Sequence, residues 1–290
     1  MIWDAGIKSW DDFKVSKTNP LSPNKVRSIL DKIESSKEAI INDNPSHFLS
    51  LPPKERWRLF AEFKHLVAYV DIETTGLSRE FDEITTGVIY DGCEIKTYVR
   101  GVNLEYFIDD IKKYPIIVTY NGQAFDIPFI EKHFGATLNN ISIDLRYILS
   151  SLDISGGLKG CEKHFGLERD NLEGIDGHVA VLLWSEYIKG TKNALDTLLA
   201  YNIEDTVNLE HLMHQAYNLR INDIFNEEAY LLKIPEKQMP LFSSDLDLVK
   251  SLTSGLPSSY LNMQQQRIVQ NDFSYFVSQD TVHLLNHHGE

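Results

Sequence analysis

Two acids two positions apart, Asp71 and Glu73, close a strand-like run over 66–73 that is apolar at its start. Strand side chains alternate faces, so both carboxylates point the same way. They repel each other, and no Lys or Arg stands between Lys64 and Arg79 to neutralise them. Such a pair needs a solvated strand end or a cation, and oxygen-only ligands suit Mg²⁺ or Mn²⁺. On this spacing alone the two readings stand level. Another acid, Asp126, follows the apolar run 116–120 and the loop Asn121-Gly122-Gln123-Ala124-Phe125. Asp favours a helix N-cap, while functional groups of open α/β sheets gather at strand ends. The last signal is Tyr201 with Asp205, four positions apart and so on one helical face. Leu198, Leu209 and Leu212 have spacing that turns that face inward. An inward Asp needs a partner, and a neighbouring Tyr can orient a water. Taken alone, the pair is common in ordinary helices.

These groups meet only if the intervening elements bring them together. Two β-rich runs, 84–90 and 94–100, flank Asp91-Gly92, a hairpin signal. The pattern then predicts a helix near 103–113, a strand at 116–120, a helix over 125–134 stopped by Gly135, and a strand at 141–147. Helices over 158–165, 177–189 and 192–217 follow. This order predicts an α/β domain over 65–220. Its central mixed five-stranded sheet has a three-strand antiparallel meander, then parallel strands, with helices on both faces. If strands 66–73 and 116–120 are neighbours, Asp126 approaches Asp71 and Glu73. Residues 1–64 read as a helical N-terminal extension. It has a helix started by Ser9, one over 24–41 built on Val26, Ile29, Leu30, Ile33 and Ile40, and one opened by Pro52-Pro53 with Trp57, Phe60 and Phe63. Lys54, Arg56 and Arg58 read as a solvated helix face. Residues 221–290 read as a tail, partly ordered at best, rich in Ser, Gln, Asn and His beyond Pro235.

With 290 residues, 42% apolar and 24% charged, the chain can bury a sizeable core, which excludes bulk disorder. Two cysteines, Cys93 and Cys161, are too few for a disulfide framework or a four-cysteine zinc site. Without an 18-residue apolar run or a signal-peptide start, no membrane is expected and the expected compartment is cytoplasmic. Lys plus Arg total 28 against 42 Asp plus Glu, a net charge of −14. That argues against passive coating of nucleic acid, whose affinity comes from phosphate neutralisation. It leaves room for an enzyme whose carboxylates hold divalent ions.

In chain order, Asp71-x-Glu73, Asn121-x3-Phe125-Asp126 and Tyr201-x3-Asp205 resemble the DEDD exonuclease superfamily in its Tyr variant, DEDDy. The surrounding text is closer still to the YprB-like ribonuclease H-like family. The matching stretches are DIETTGL at 71–77, VTYNGQAFDIPFI at 118–130, IDLR at 143–146, GGLKGCEKHFGLER at 156–169 and YNIEDTVNLE at 201–210. Roughly residues 50–218 are covered, and GIKSWDDF near the N-terminus resembles a helix-hairpin-helix remnant.

The resemblance implies a ribonuclease H-like fold and a 3′–5′ exonuclease hydrolysing phosphodiester bonds at the 3′ end of single-stranded DNA or RNA. It implies two divalent ions, Mg²⁺ or Mn²⁺, about 4 Å apart, with Asp71, Glu73, Asp126 and Asp205 as ligands. Tyr201 would orient the water, since a phenol is a poor base. Thr74, Thr75 and Leu77 would contact the terminal nucleotide, and Asn121 would hold its loop or touch substrate. Asp144 reads as a fifth carboxylate near the ions, or as a partner of Arg146 or of a turn. Lys159, in a Gly-rich turn before a helix, is a candidate phosphate contact. His178 reads as a core or surface histidine, because Ala200 stands where the sister subfamily has its catalytic His. Two other functions stay open: a ribonuclease H-like structure-specific endonuclease, and a non-catalytic nucleic-acid-binding or scaffold module. A lost carboxylate would mark the last, and all four are present.

Overall fold

A computed structural model of the chain describes residues 3–15, 20–167, 169, 176–225, 227–236 and 241–254. One mixed sheet runs in the order β3-β2-β1-β4-β5. Its strands are β1 (Val67–Thr74), β2 (Ile84–Tyr90), β3 (Ile95–Val99), β4 (Ile116–Thr119) and β5 (Ile141–Asp144). The first three form an antiparallel meander, while β4 lies parallel to β1 and β5 parallel to β4. Central β1 has partners on both edges and helices on both faces, which is why its sequence is apolar until its acids.

Register decides what β1 can offer. It pairs with β2 from Tyr69 to Thr74, but with β4 only at Val67, Ala68 and Tyr69. Its C-terminal half therefore projects past β4, carrying Asp71 and Glu73 to an edge of the sheet where side chains from elsewhere must complete the backbone pairing.

The α-helices are α1 (Trp10–Val15), α2 (Pro23–Ile41), α3 (Phe60–Phe63), α4 (Phe107–Ile111), α5 (Asp126–Phe134), α6 (Leu145–Ser150), α7 (Gly157–His164), α8 (Gly177–Ile188), α9 (Ala194–Phe225) and α10 (Leu246–Thr253). On one face of the sheet, Val67, Tyr69, Val88, Tyr90, Ile116 and Val118 pack against Ile203, Val207 and Leu212 of α9 and against Trp57, Phe60 and Phe63. On the other, Ala68, Val70, Ile72, Ile89 and Ile117 pack against Phe107, Ile111, Phe129 and Ile130 of α4 and α5. Gly87 makes room there: a Cβ would lie 3.1 Å from the Phe107 ring. Strand alternation assigns Asp71 and Glu73 to the α9 face, following Val67 and Tyr69.

Three elements differ from the sequence pattern. The strand expected over 141–147 ends at Asp144, whose side chain accepts from the Arg146 N–H and starts α6. Apolar residues continue through that junction, so periodicity gave no boundary. The helix expected after Pro53 is a 3₁₀ segment (Pro53–Leu59) followed by the single turn α3. The helix expected to end at 217 continues to Phe225. At the N-terminus, α1 and α2 share a small core of Ile7, Phe13 and Ile33. Within the tail, Val249 of α10 packs with Leu183, Trp184 and Leu198, while 255–290 lie outside the described residues. No described helix is long and apolar enough to cross a membrane.

Candidate active site

The acids of β1 and α9 meet across the packed face. One carboxylate oxygen from each of Asp71, Glu73 and Asp205 lies within 4.8 Å of the others. Glu73 and Asp205 are buried and Asp71 half-buried. Asp126, the first residue of α5, is also buried, and its Oδ1 accepts from the Ile72 N–H at 3.3 Å. That donor lies on the part of β1 beyond the β4 pairing, so Asp126 takes the place of a strand neighbour and is drawn against the acid pair. Asn202 of α9 donates from Nδ2 to Asp71 Oδ2 at 2.7 Å and accepts from Thr86 Oγ1 at 2.9 Å.

Burial, then the charges of Asp126, Asp205 and Glu73, push the Asp71 pKa well above the carboxylate range, against the Asn202 hydrogen bond. Glu73 is also pushed well up by burial and by Asp205 and Asp126, with Lys159 and Arg169 opposing. Burial raises Asp126 to about 7, against backbone N–H donation from itself and Ile72. The cluster is thus short of positive charge. Hard oxygen donors converging at this spacing fit Mg²⁺ or Mn²⁺.

Two bases stand beside it. Lys159 Nζ lies 5.1 Å from the centre of the Tyr201 ring, and the Arg169 guanidinium carbon 5.8 Å from it. Burial lowers the Lys159 pKa, with Asp205 opposing. Arg169 is ion-paired to Asp205 and to Glu162. Tyr201 is buried, and burial followed by the charges of Asp205 and Glu73 holds its pKa well above 10.

Comparison with known proteins reaches the level of family. A family model, RNase_H_2, described as RNase_H superfamily, matches residues 68–217, just over half of the chain. The chain belongs to the RNase_H superfamily. No curated protein matches it. Among solved structures, it is 18% identical to a family B DNA polymerase from the hyperthermophilic archaeon Pyrobaculum calidifontis, with a TM-score of 0.41. That match covers 55% of this chain and 26% of the polymerase, so the chain spans about a quarter of that protein's length. A structure described as the apo form of a nuclease is 18% identical with a TM-score of 0.31, covering 59% of this chain and 90% of that one.

The remaining candidates lie after β1, after β4 and on α8. Asp144 lies in the loop contacts after β4: its carboxylate accepts from the N–H groups of Asn121 at 2.8 Å, Gln123 at 3.0 Å and Arg146 at 3.1 Å. Its pKa is nonetheless raised to about 6, because burial outweighs those bonds. Asn121 adopts a left-handed φ of 64° and accepts from Arg146 Nη1 at 2.7 Å. Next to it, a Cβ on Gly122 would lie 2.2 Å from Thr119 Oγ1, so the turn into α5 requires glycine there.

After β1, the Thr74 hydroxyl donates to the Gly76 carbonyl at 2.6 Å and the Thr75 hydroxyl to Asp82 Oδ1 at 2.9 Å. Both hydroxyls shape their own loop, and Leu77 projects from it, 69% exposed. His178 is half-buried in the first turn of α8. Lys54 and Arg58 are exposed, Arg58 bonding Glu55 at 2.7 Å, but Arg56 is half-buried and donates to the Leu51 carbonyl at 3.4 Å, so it is not part of a solvated face. Sequence reasoning did not single out Asn202, Glu162 or Arg169. The only trace of the last two was their place in the GGLKGCEKHFGLER stretch.

Proposed function

We propose that the chain is a divalent-metal-dependent nuclease of the YprB-like, DEDDy type, a 3′–5′ exonuclease on single-stranded DNA or RNA. The observation that carries this reading is that one oxygen each from Asp71, Glu73 and Asp205 lies within 4.8 Å of the others, with Asp126 and Tyr201 alongside. Asp71, Glu73, Asp126 and Asp205 would hold two ions, Mg²⁺ or Mn²⁺. When bound, the ions supply the positive charge that activates a water and stabilises the leaving 3′ oxygen.

The chain's own groups do the positioning. Tyr201, its pKa held up by burial, stays a neutral phenol near pH 7. It orients a water by hydrogen bonding and does not take its proton. Lys159, on the same side of the site, offers a charge to a substrate phosphate. Leu77, exposed on a loop rigidified by Thr75 and Asp82, packs against the terminal base. Thr74, Thr75 and Asn121 set the shape of the loops that cradle that nucleotide.

The test uses single-stranded oligonucleotides labelled at the 3′ or 5′ end, as DNA and as RNA, with Mn²⁺, Mg²⁺ or EDTA. A metal-dependent ladder from the 3′ end, lost in Asp71→Ala and Asp205→Asn, is the expected result. Intact single strands in every metal would overturn the exonuclease reading, and internal cuts would redirect it to an endonuclease.

A further inference from the structure

One buried cation beside the acids has no part in that scheme. Arg169 donates from Nε and Nη2 to Glu162 Oε2 and Oε1, both at 2.6 Å. Glu162, on α7 and only 1% exposed, also accepts from Asn208 Nδ2 of α9 at 2.8 Å. The fork of the guanidinium is therefore clamped between two helices. Its remaining nitrogen, Nη1, forms the ion pair with Asp205 Oδ1. Neither of those two buried atoms has another hydrogen-bond partner among the described residues. Oδ1 is held in place by the cation.

Burying such a triad adds little net stability, since desolvation offsets the attraction. Its geometry does something else. A guanidinium gripped on one edge can present a fixed positive charge on the other, which a flexible point charge such as an ammonium cannot reproduce. We propose that Arg169, clamped by Glu162, is a positioning residue. It holds the Asp205 carboxylate in a fixed orientation toward the place where Asp71, Glu73 and Asp205 would hold an ion. This rests on the reading of those three acids as an ion site. It has a second consequence: an arriving cation meets the repulsion of Arg169, so the chain trades ion affinity for placement.

The experiment compares the full chain with Arg169→Met, Arg169→Lys and the double variant Glu162→Gln/Arg169→Met. The double variant removes the charge of Glu162 together with its partner, so Asp205 alone loses a buried counter-charge, which lessens the risk of a simple failure to fold. Mn²⁺ binding is followed by calorimetry and by the electron paramagnetic resonance spectrum of the bound ion, and kcat and KM are measured on a labelled oligonucleotide. The expected result is a fall in kcat of about 10²-fold in all three variants, the scale of a misplacement near 1 Å. KM should stay within a few-fold, the Mn²⁺ spectrum should change, and the Mn²⁺ affinity of the two Met variants should equal or exceed that of the wild type.

Wild-type kcat in a folded variant, rescue by Lys, an unchanged spectrum, or Mn²⁺ affinity falling in step with kcat would each overturn the proposal. A wild-type chain that binds no Mn²⁺ would overturn the ion site and this proposal together. Mn²⁺ binding by the wild type with indifferent variants would overturn the role of Arg169 alone.

Discussion

The Asn202 side chain of α9 donates to the Asp71 carboxylate of β1 at 2.7 Å while accepting from the Thr86 hydroxyl of β2 at 2.9 Å. An ionised carboxylate only accepts, so in that form Asp71 faces the amide nitrogen, and Thr86 fixes the opposite end. One fully buried side chain thus ties the helix bearing Tyr201 and Asp205 to the strand bearing Asp71 and Glu73.

Replacing Asn202 with Ala leaves Thr86 and Asp71 without this partner. The expected cost is about 1–3 kcal/mol of stability, read as a lower urea midpoint, together with reduced nuclease rate. Asn202→Asp places another carboxylate against Asp71 and should destabilise more, with partial recovery on lowering the pH from 8 to 6.5. Equal urea midpoints for wild type and both variants would refute the tie.

Asp144 tests whether the loop after β4 matters separately from the acid cluster. Its carboxylate accepts three backbone N–H groups around Asn121, Gln123 and Arg146. Asp144→Ala is expected to cost about 1–3 kcal/mol and to slow hydrolysis, because that loop leads into Asp126. Mn²⁺ affinity at Asp71, Glu73 and Asp205 should stay within a few-fold of wild type by calorimetry. Abolished Mn²⁺ binding would instead make Asp144 a ligand.

The sheet was legible because its cause is local. The apolar run that becomes β1 and the Asp-Gly hairpin between β2 and β3 announce themselves by composition and turn chemistry. Asp71 and Glu73 could be placed on one face by strand alternation alone. The junction at Asp144 was hidden because apolar residues run through it, and only the side-chain cap ends β5. Asn202 reads as one polar residue in a helix until α9 is seen to be buried nearly all round. Arg169 was less legible still, since its partners Glu162 and Asp205 come from two different helices and the packing that joins them is tertiary.

Leu77 separates substrate contact from folding. At 69% exposure it contributes little to the core, so Leu77→Ala should leave stability within about 0.5 kcal/mol. If its side chain packs against the terminal base, KM on a single-stranded oligonucleotide rises several-fold while Mn²⁺ affinity is unchanged. Wild-type KM would remove Leu77 from the substrate-binding surface.

The acid cluster also predicts how the metal-free chain responds to pH. Burial and like charge raise the folded-state pKa values of Asp71 and Glu73, and burial raises that of Asp126 to about 7. An unfolded Asp titrates near 3.9, so the folded state binds more protons, and its stability falls as pH rises through the folded pKa. The contribution of Asp126 is complete below about pH 4 and lost on passing about 7. Three histidines act oppositely: desolvation lowers the pKa values of exposed His133, half-buried His211 and buried His214, so their cost appears as pH drops below about 6.5. The clean window is therefore pH 6.5 to 8. In EDTA, melting temperature is expected to fall across that window, and Asp126→Asn should flatten the slope because its amide does not ionise. Saturating Mn²⁺ should stabilise the wild type more at pH 8 than at 6.5, since an ion binds the deprotonated acids. Calorimetric melts of both proteins check all three statements, and an identical slope in wild type and Asp126→Asn would show that Asp126 does not titrate there.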